Sequence, residues 1–161
     1  MSVTREQVIA KAREYIGTPL DHQGRRKGAN GRIDCVGVVL CVAEELGILD
    51  KDGAPLGRND HLNYGPQPHG KLVHETTKTR LVMKWEASDT RPMPDLVPGD
   101  VVTLRNPRAA CHAGILTSIN GRVAIVHAYP SGTPKPCVVE HVLNAKWISR
   151  IEGIFTFPGV G

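Results

Sequence analysis

The hydrophobic period changes once along this chain, near Gly99, and that change restricts the fold more than any other feature. Upstream, apolar residues recur at helical spacing. Val8, Ile9, Ala12, Tyr15 and Ile16 make one stripe over residues 4–16, opened by a Thr4–Gln7 capping-box pattern and closed by Gly17. A second helix is predicted over 35–46, apolar almost all round and therefore mostly buried, and a third over 70–83. Downstream, "DVVTLR", "CHAGILTSI", "RVAIVHAY", "CVVEHV" and "IEGIFTFP" read as strands, with a short helical piece near 141–147. Helices first and strands second, with no βαβ alternation, predict an α+β domain whose N-terminal helices pack on a C-terminal antiparallel sheet. Residues 17–34, 48–70 and 86–99 read as loops. The 161 residues hold no repeat and no linker, so 1–161 reads as a single domain.

Asn120-Gly121, between Ile119 and Arg122, is the strongest short hairpin signal in the chain. A two-residue turn there pairs Ile119 with Arg122, Leu116 with Ile125, Gly114 with His127 and His112 with Tyr129. Side chains two apart share a face, so His112 and His127 point the same way as diagonal neighbours, with Cα atoms about 7–8 Å apart. Gly114 is expected to leave open space over the His127 ring. Such a pair suits one ring touching a nucleophile while the other orients it.

A nucleophile is available at "GRIDCVGVV". Asp34 reads as an N-cap, which places Cys35 in the first helical turn. There the dipole and free N–H groups favour a thiolate, so a depressed pKa is expected, and the same N–H groups could hold an oxyanion. Cys41, in mid-helix, has none of these aids. The four cysteines, Cys35, Cys41, Cys111 and Cys137, form no CxxC pair and match no common structural zinc spacing; no metal or cofactor is expected. The remaining histidines, His22, His61, His69, His74 and His141, read as surface residues.

The net charge of +4 is spread along the chain and rarely alternates with aromatics, which are 4% of residues, so no nucleic-acid partner is expected. "GRRKG" at 24–28 reads as a solvated loop. No apolar run is long enough for a bilayer, so no membrane partner is expected. "MSVTREQV" has no apolar h-region, so synthesis in the cytoplasm without an export signal, and reduced thiols, are the expectation.

Six ordered pieces covering most of the chain resemble the NlpC family of papain-like cysteine peptidases, and more narrowly its phage-tail-associated branch. They are "AREYIGTPL" at 12–20, "IDCVGVV" at 33–39, "VPGDVVTLR" at 97–105, "CHAGIL" at 111–116, "AIVHAYP" at 124–130 and "VVEHVLNAKWISRIEGIFTFP" at 138–158. The resemblance implies a papain-like fold and Cys35 as the attacking thiol. It likewise implies His112 as general base and His127 as the group that orients it. It implies that Asp34 holds the amino end of the substrate, a peptidoglycan stem peptide cut after γ-linked D-glutamate. Arg25, Arg26 and Lys27 would complement that substrate's carboxylates. Leu20 stands where many members carry a tyrosine, for which Tyr15 or Tyr129 could substitute, and Val36 stands where many carry a serine. Both departures bear on the substrate rather than on the chemistry. Tail proteins are the implied partners and virion-borne delivery to the cell wall the implied route. Two other functions stay open: a tail-tip or assembly component with little activity, and an amidase or acyltransferase acting on another amide or a lipid.

Overall fold

A computed structural model describes residues 2–58, 72–106, 109–130 and 134–161, with 106 and 109–111 described by backbone alone. The first helix, α1 (Arg5–Arg13), starts where the capping box requires: Gln7 N donates to Thr4 Oγ1 at 3.3 Å and Thr4 N donates to Gln7 Oε1 at 2.8 Å. A short ribbon, β1 (Arg25–Arg26) with β2 (Arg32–Ile33), leads into α2 (Cys35–Glu45), whose residues Gly37 to Ala43 are all buried. The third helix, α3 (Leu72–Arg80), stops earlier than its apolar pattern allows, because the chain turns into an edge strand, β3 (Val82–Glu86). Only Trp85 of β3 is buried, so the strand has no alternation to betray it. The part of the predicted third helix before Leu72, most of the loop before it, His61 and His69 lie outside the described residues.

The sheet is completed by β4 (Val101–Asn106), β5 (Ala109–Ile119), β6 (Arg122–Tyr129), β7 (Cys137–Val142) and β8 (Ile151–Thr156), with α4 (Ala145–Ile148) before the last strand. Its six strands run in the order β3-β8-β4-β5-β6-β7, antiparallel throughout. The architecture is the α+β arrangement expected, with N-terminal helices packed on a C-terminal antiparallel sheet. Asn120 and Gly121 take φ of 50° and 75°, and the β5–β6 register runs from Ile119↔Arg122 through Leu116↔Ile125 as the turn dictates.

Each face of the sheet carries its own apolar cluster. On one, Val101, Ala113, Ile115, Val126, Ala128, Val138 and Phe155 pack with α1, α2 and Val73 of α3. On the other, Val102, Leu104, Leu116, Ile125 and Ile154 gather with Trp85, and Trp147 of α4 packs on them. His112 shares the parity of Leu116, and His127 that of Ile125, so both imidazoles leave the sheet on the α4 side.

Candidate active site

The start of α2 is built around one carboxylate. Asp34 Oδ1 accepts from Gly37 N and from Arg25 Nη1, both at 2.7 Å, and Oδ2 accepts from Gln23 N at 2.9 Å. The glycine of the Asp-Cys-Val-Gly stretch is there for closeness: a Cβ on Gly37 would stand 2.6 Å from the Gly24 carbonyl oxygen. The cap holds Cys35 in the first helical turn, partly exposed, with the backbone N–H groups of Val36 and Ala113 directed at its sulfur. Ala113 is the chain neighbour of His112. The sulfur thus reaches the sheet backbone one residue from that imidazole. Among the described residues, no hydrogen bond joins the sulfur to a ring nitrogen.

The imidazoles meet where β5 and β6 stop pairing. Their ladder runs to Ile115↔Val126, while β5 stays beside β4 as far as His112↔Leu104 and beyond. There His112 Nε2 lies 2.6 Å from His127 Nδ1. The line continues through the sheet's next strand: His127 Nε2 is 2.9 Å from His141 Nε2, and His141 Nδ1 is 3.0 Å from the Val142 carbonyl oxygen. Aromatic rings wrap the line. Tyr129 stacks parallel on His127 at 5.1 Å, and Trp147 stands edge-on to His127 at 5.3 Å and tilted over His141 at 5.2 Å. Asn144 caps the short helix that brings Trp147 there, its Oδ1 accepting from Trp147 N at 3.0 Å.

Three expectations are corrected by this geometry. His141 is not a surface histidine but the third ring of the line. His74, likewise expected at the surface, is buried, held elsewhere by Thr103 Oγ1 at 2.8 Å and Glu86 Oε2 at 3.2 Å. Gly114 leaves no open space over His127: a Cβ there would stand 2.6 Å from Ile125 Cδ1 and 3.0 Å from His127 Cβ, so the glycine lets those side chains close over the strand.

The electrostatics also differ from the expectation at Cys35. Burial pushes its thiol up to about 12, and the Asp34 carboxylate adds to the rise; the N–H groups of Ala113 and Val36 and the Arg25 guanidinium oppose it without offsetting it. The residue that caps the helix is thus the one that works against a thiolate. Burial, then the charge His141 would carry, holds His112 down at about 4. Burial, followed by His112 and His141, holds His127 at about 2. At neutral pH the thiol and these two rings are therefore uncharged.

A shallow cleft on the α4 side opens onto His112 between Tyr129, Trp147, Arg105 and Arg150. Of the predicted basic loop, Arg25 is paired with Asp34, Lys27 with Glu14 at 2.7 Å and Glu45 at 3.0 Å, and Arg26 is exposed. Tyr129 is the tyrosine that stands at the imidazoles; Tyr15 is buried beneath α2, its hydroxyl bonded to Glu45. Cys41 is buried, with its sulfur 3.6 Å from the Arg25 carbonyl oxygen. No cluster of metal-ligating side chains occurs among the described residues, and no helix among them is long and apolar enough to cross a membrane.

No family model and no curated protein matches the sequence. Solved structures do match in shape. The crystal structure of Ly7917 superposes with a TM-score of 0.53 at 13% identity, over 98% of this chain and 63% of that one. This chain therefore spans under two thirds of Ly7917. An N-acetylmuramoyl-L-alanine amidase from Bacteroides uniformis ATCC 8492 superposes with a TM-score of 0.49 at 14% identity, over 94% of this chain and 96% of that one. The likeness to Ly7917 is one of fold.

Proposed function

We propose that this chain is a cell wall hydrolase: a cysteine peptidase of NlpC type that cleaves the stem peptide of peptidoglycan after γ-linked D-glutamate, carried by a phage tail or a tail-derived assembly. One observation carries the reading. His112 and His127 lie 2.6 Å apart, and the sulfur of Cys35, at a helix N-terminus, faces the N–H of the residue next to His112. A thiol at a helix start, an imidazole and a second imidazole to orient it are the groups acyl transfer needs, and here they come from three separate segments. The ordered motifs from "IDCVGVV" to "AIVHAYP" support the same reading.

In the proposed reaction His112 accepts the thiol proton at Nδ1 as the sulfur of Cys35 attacks the amide carbonyl. Because thiol and ring are both neutral at rest, the proton leaves as the C–S bond forms, not before. Backbone N–H groups at the start of α2, that of Cys35 foremost, hold the oxyanion. The C–N bond then breaks, and the proton on His112 goes to the leaving amine. Water, giving its proton to His112, attacks the thioester. The C–S bond breaks, the acyl half leaves as a carboxylic acid, and the thiol is restored. Asp34 keeps a negative charge one residue from the sulfur, where the ammonium end of a stem peptide would be drawn. Arg25 acts through Asp34, and exposed Arg26 meets a substrate carboxylate.

A second reading, a tail-tip component of little activity, is favoured by the raised thiol of Cys35. Digestion of purified peptidoglycan, with the fragments weighed, separates the two. The wild type is expected to release fragments with a new γ-D-glutamyl carboxylate, and Cys35→Ala none. Fragments released equally by Cys35→Ala would overturn the peptidase reading, and release at another bond would replace its substrate.

A further inference from the structure

We propose that His141 is a positioning residue whose bond to the Val142 carbonyl sets the tautomer of all three imidazoles and so makes His112 Nδ1 the basic nitrogen. The proposal deepens the peptidase reading and rests on it for the role of His112. A carbonyl oxygen only accepts, so His141 Nδ1, 3.0 Å away, carries the proton. A neutral His141 then offers a lone pair at Nε2. The 2.9 Å contact with His127 Nε2 needs one proton, which His127 supplies. His127 is left with a lone pair at Nδ1, and the 2.6 Å contact draws the Nε2 proton of His112. The nitrogen left unprotonated at the end of the line is His112 Nδ1. In the reversed line, two acceptors would face each other at Val142, and His112 Nδ1 would already be protonated and unable to take a proton from a thiol.

Burial keeps His112 and His127 uncharged near neutral pH. His127 is fully buried; Tyr129 stacks on its ring, and Trp147 packs against it and against His141. A chain of three neutral rings has two proton arrangements, and the carbonyl at its far end selects one. The selecting group sits two strands away from His112 and touches neither the cleft nor the sulfur.

The test is nitrogen NMR of the resting protein with labelled histidine, near neutral pH, on the wild type, His141→Gln and His141→Leu. In the wild type, His112 and His127 are expected as the Nε2–H tautomer and His141 as Nδ1–H. Gln keeps an acceptor for His127, and Leu removes it. His141→Leu is expected to mix the His112 tautomers and to lower kcat by about tenfold to a hundredfold with KM little changed. Gln is expected to restore the tautomer and most of the rate. Nδ1–H at His112 in the wild type would overturn the proposal, as would His141→Leu with an unchanged spectrum and rate. Should His141→Leu fail to fold, the wild-type and Gln spectra decide. A wild type that cleaves no stem peptide sinks the peptidase reading, while the tautomer assignment is still settled by the spectra.

Discussion

Two histidine sites lie buried on opposite faces of one sheet, and they end differently. His74, on α3, gives both nitrogens to other side chains: Nδ1 meets Thr103 of β4, and Nε2 meets Glu86 of β3, which Lys78 neutralises at 3.0 Å. The ring clamps α3 to two strands. It packs so closely on Gly153 that a Cβ there would stand 2.6 Å from its Cε1. His127 is as deeply buried, but its partners are imidazoles, and the line they form runs from a carbonyl oxygen out to His112 at the mouth of a cleft. Burial therefore does not separate a structural histidine from a chemical one. What separates them is whether the chain of partners closes inside the protein or leaves a basic nitrogen at its end.

That contrast can be broken by substitution. The largest effect is expected from His112→Ala, which removes the proposed base: hydrolysis of stem peptide falls by roughly 10²–10⁴-fold while the urea midpoint moves little. His74→Leu should do the opposite. It strands the Thr103 hydroxyl and part of the Glu86 carboxylate, costing about 1–3 kcal/mol of stability, while hydrolysis per folded molecule stays at the wild-type value. If both variants lose activity and stability together, the two sites are not different in kind.

A smaller effect sharpens the same contrast through pH. His112 and His127 are held below the ordinary 6.5, at about 4 and about 2. Above 6.5 both states leave these rings neutral. As pH falls below 6.5, the unfolded chain binds protons that the fold refuses, so stability is lost progressively toward acid. Thermal unfolding from neutral pH down to about 4 should show this slope, and it should flatten in His127→Leu. An equal slope in that variant would place the acid sensitivity elsewhere.

Much of this site is legible in the sequence, and the remainder is not, for identifiable reasons. The pairing of β5 with β6 as far as Ile115↔Val126 follows from Asn120-Gly121, because a two-residue turn sets the register next to it; the pairs expected beyond, Gly114 with His127 and His112 with Tyr129, are not part of the ladder, since the strands separate there. Asp34 as cap and Cys35 in the first turn follow from local chemistry. His141 could not be placed, because β7 joins β6 without a two-residue turn and its register, His127↔Val139 and Ile125↔His141, is set by the sheet. His74 could not be placed either: its burial depends on strands that arrive after another loop. The raised thiol of Cys35 is not legible either: a helix start favours the thiolate, and the burial that outweighs it comes only with the fold.

The most direct measurement is covalent. A stem-peptide analogue carrying a chloromethyl ketone in place of the scissile amide, incubated with the wild type and followed by peptide mapping, should leave one adduct, on Cys35. In His112→Ala that adduct should form far more slowly. An adduct on Cys41 or Cys137 instead, or labelling of Cys35 at the same rate without His112, would contradict the convergence of sulfur and imidazole on which the account stands.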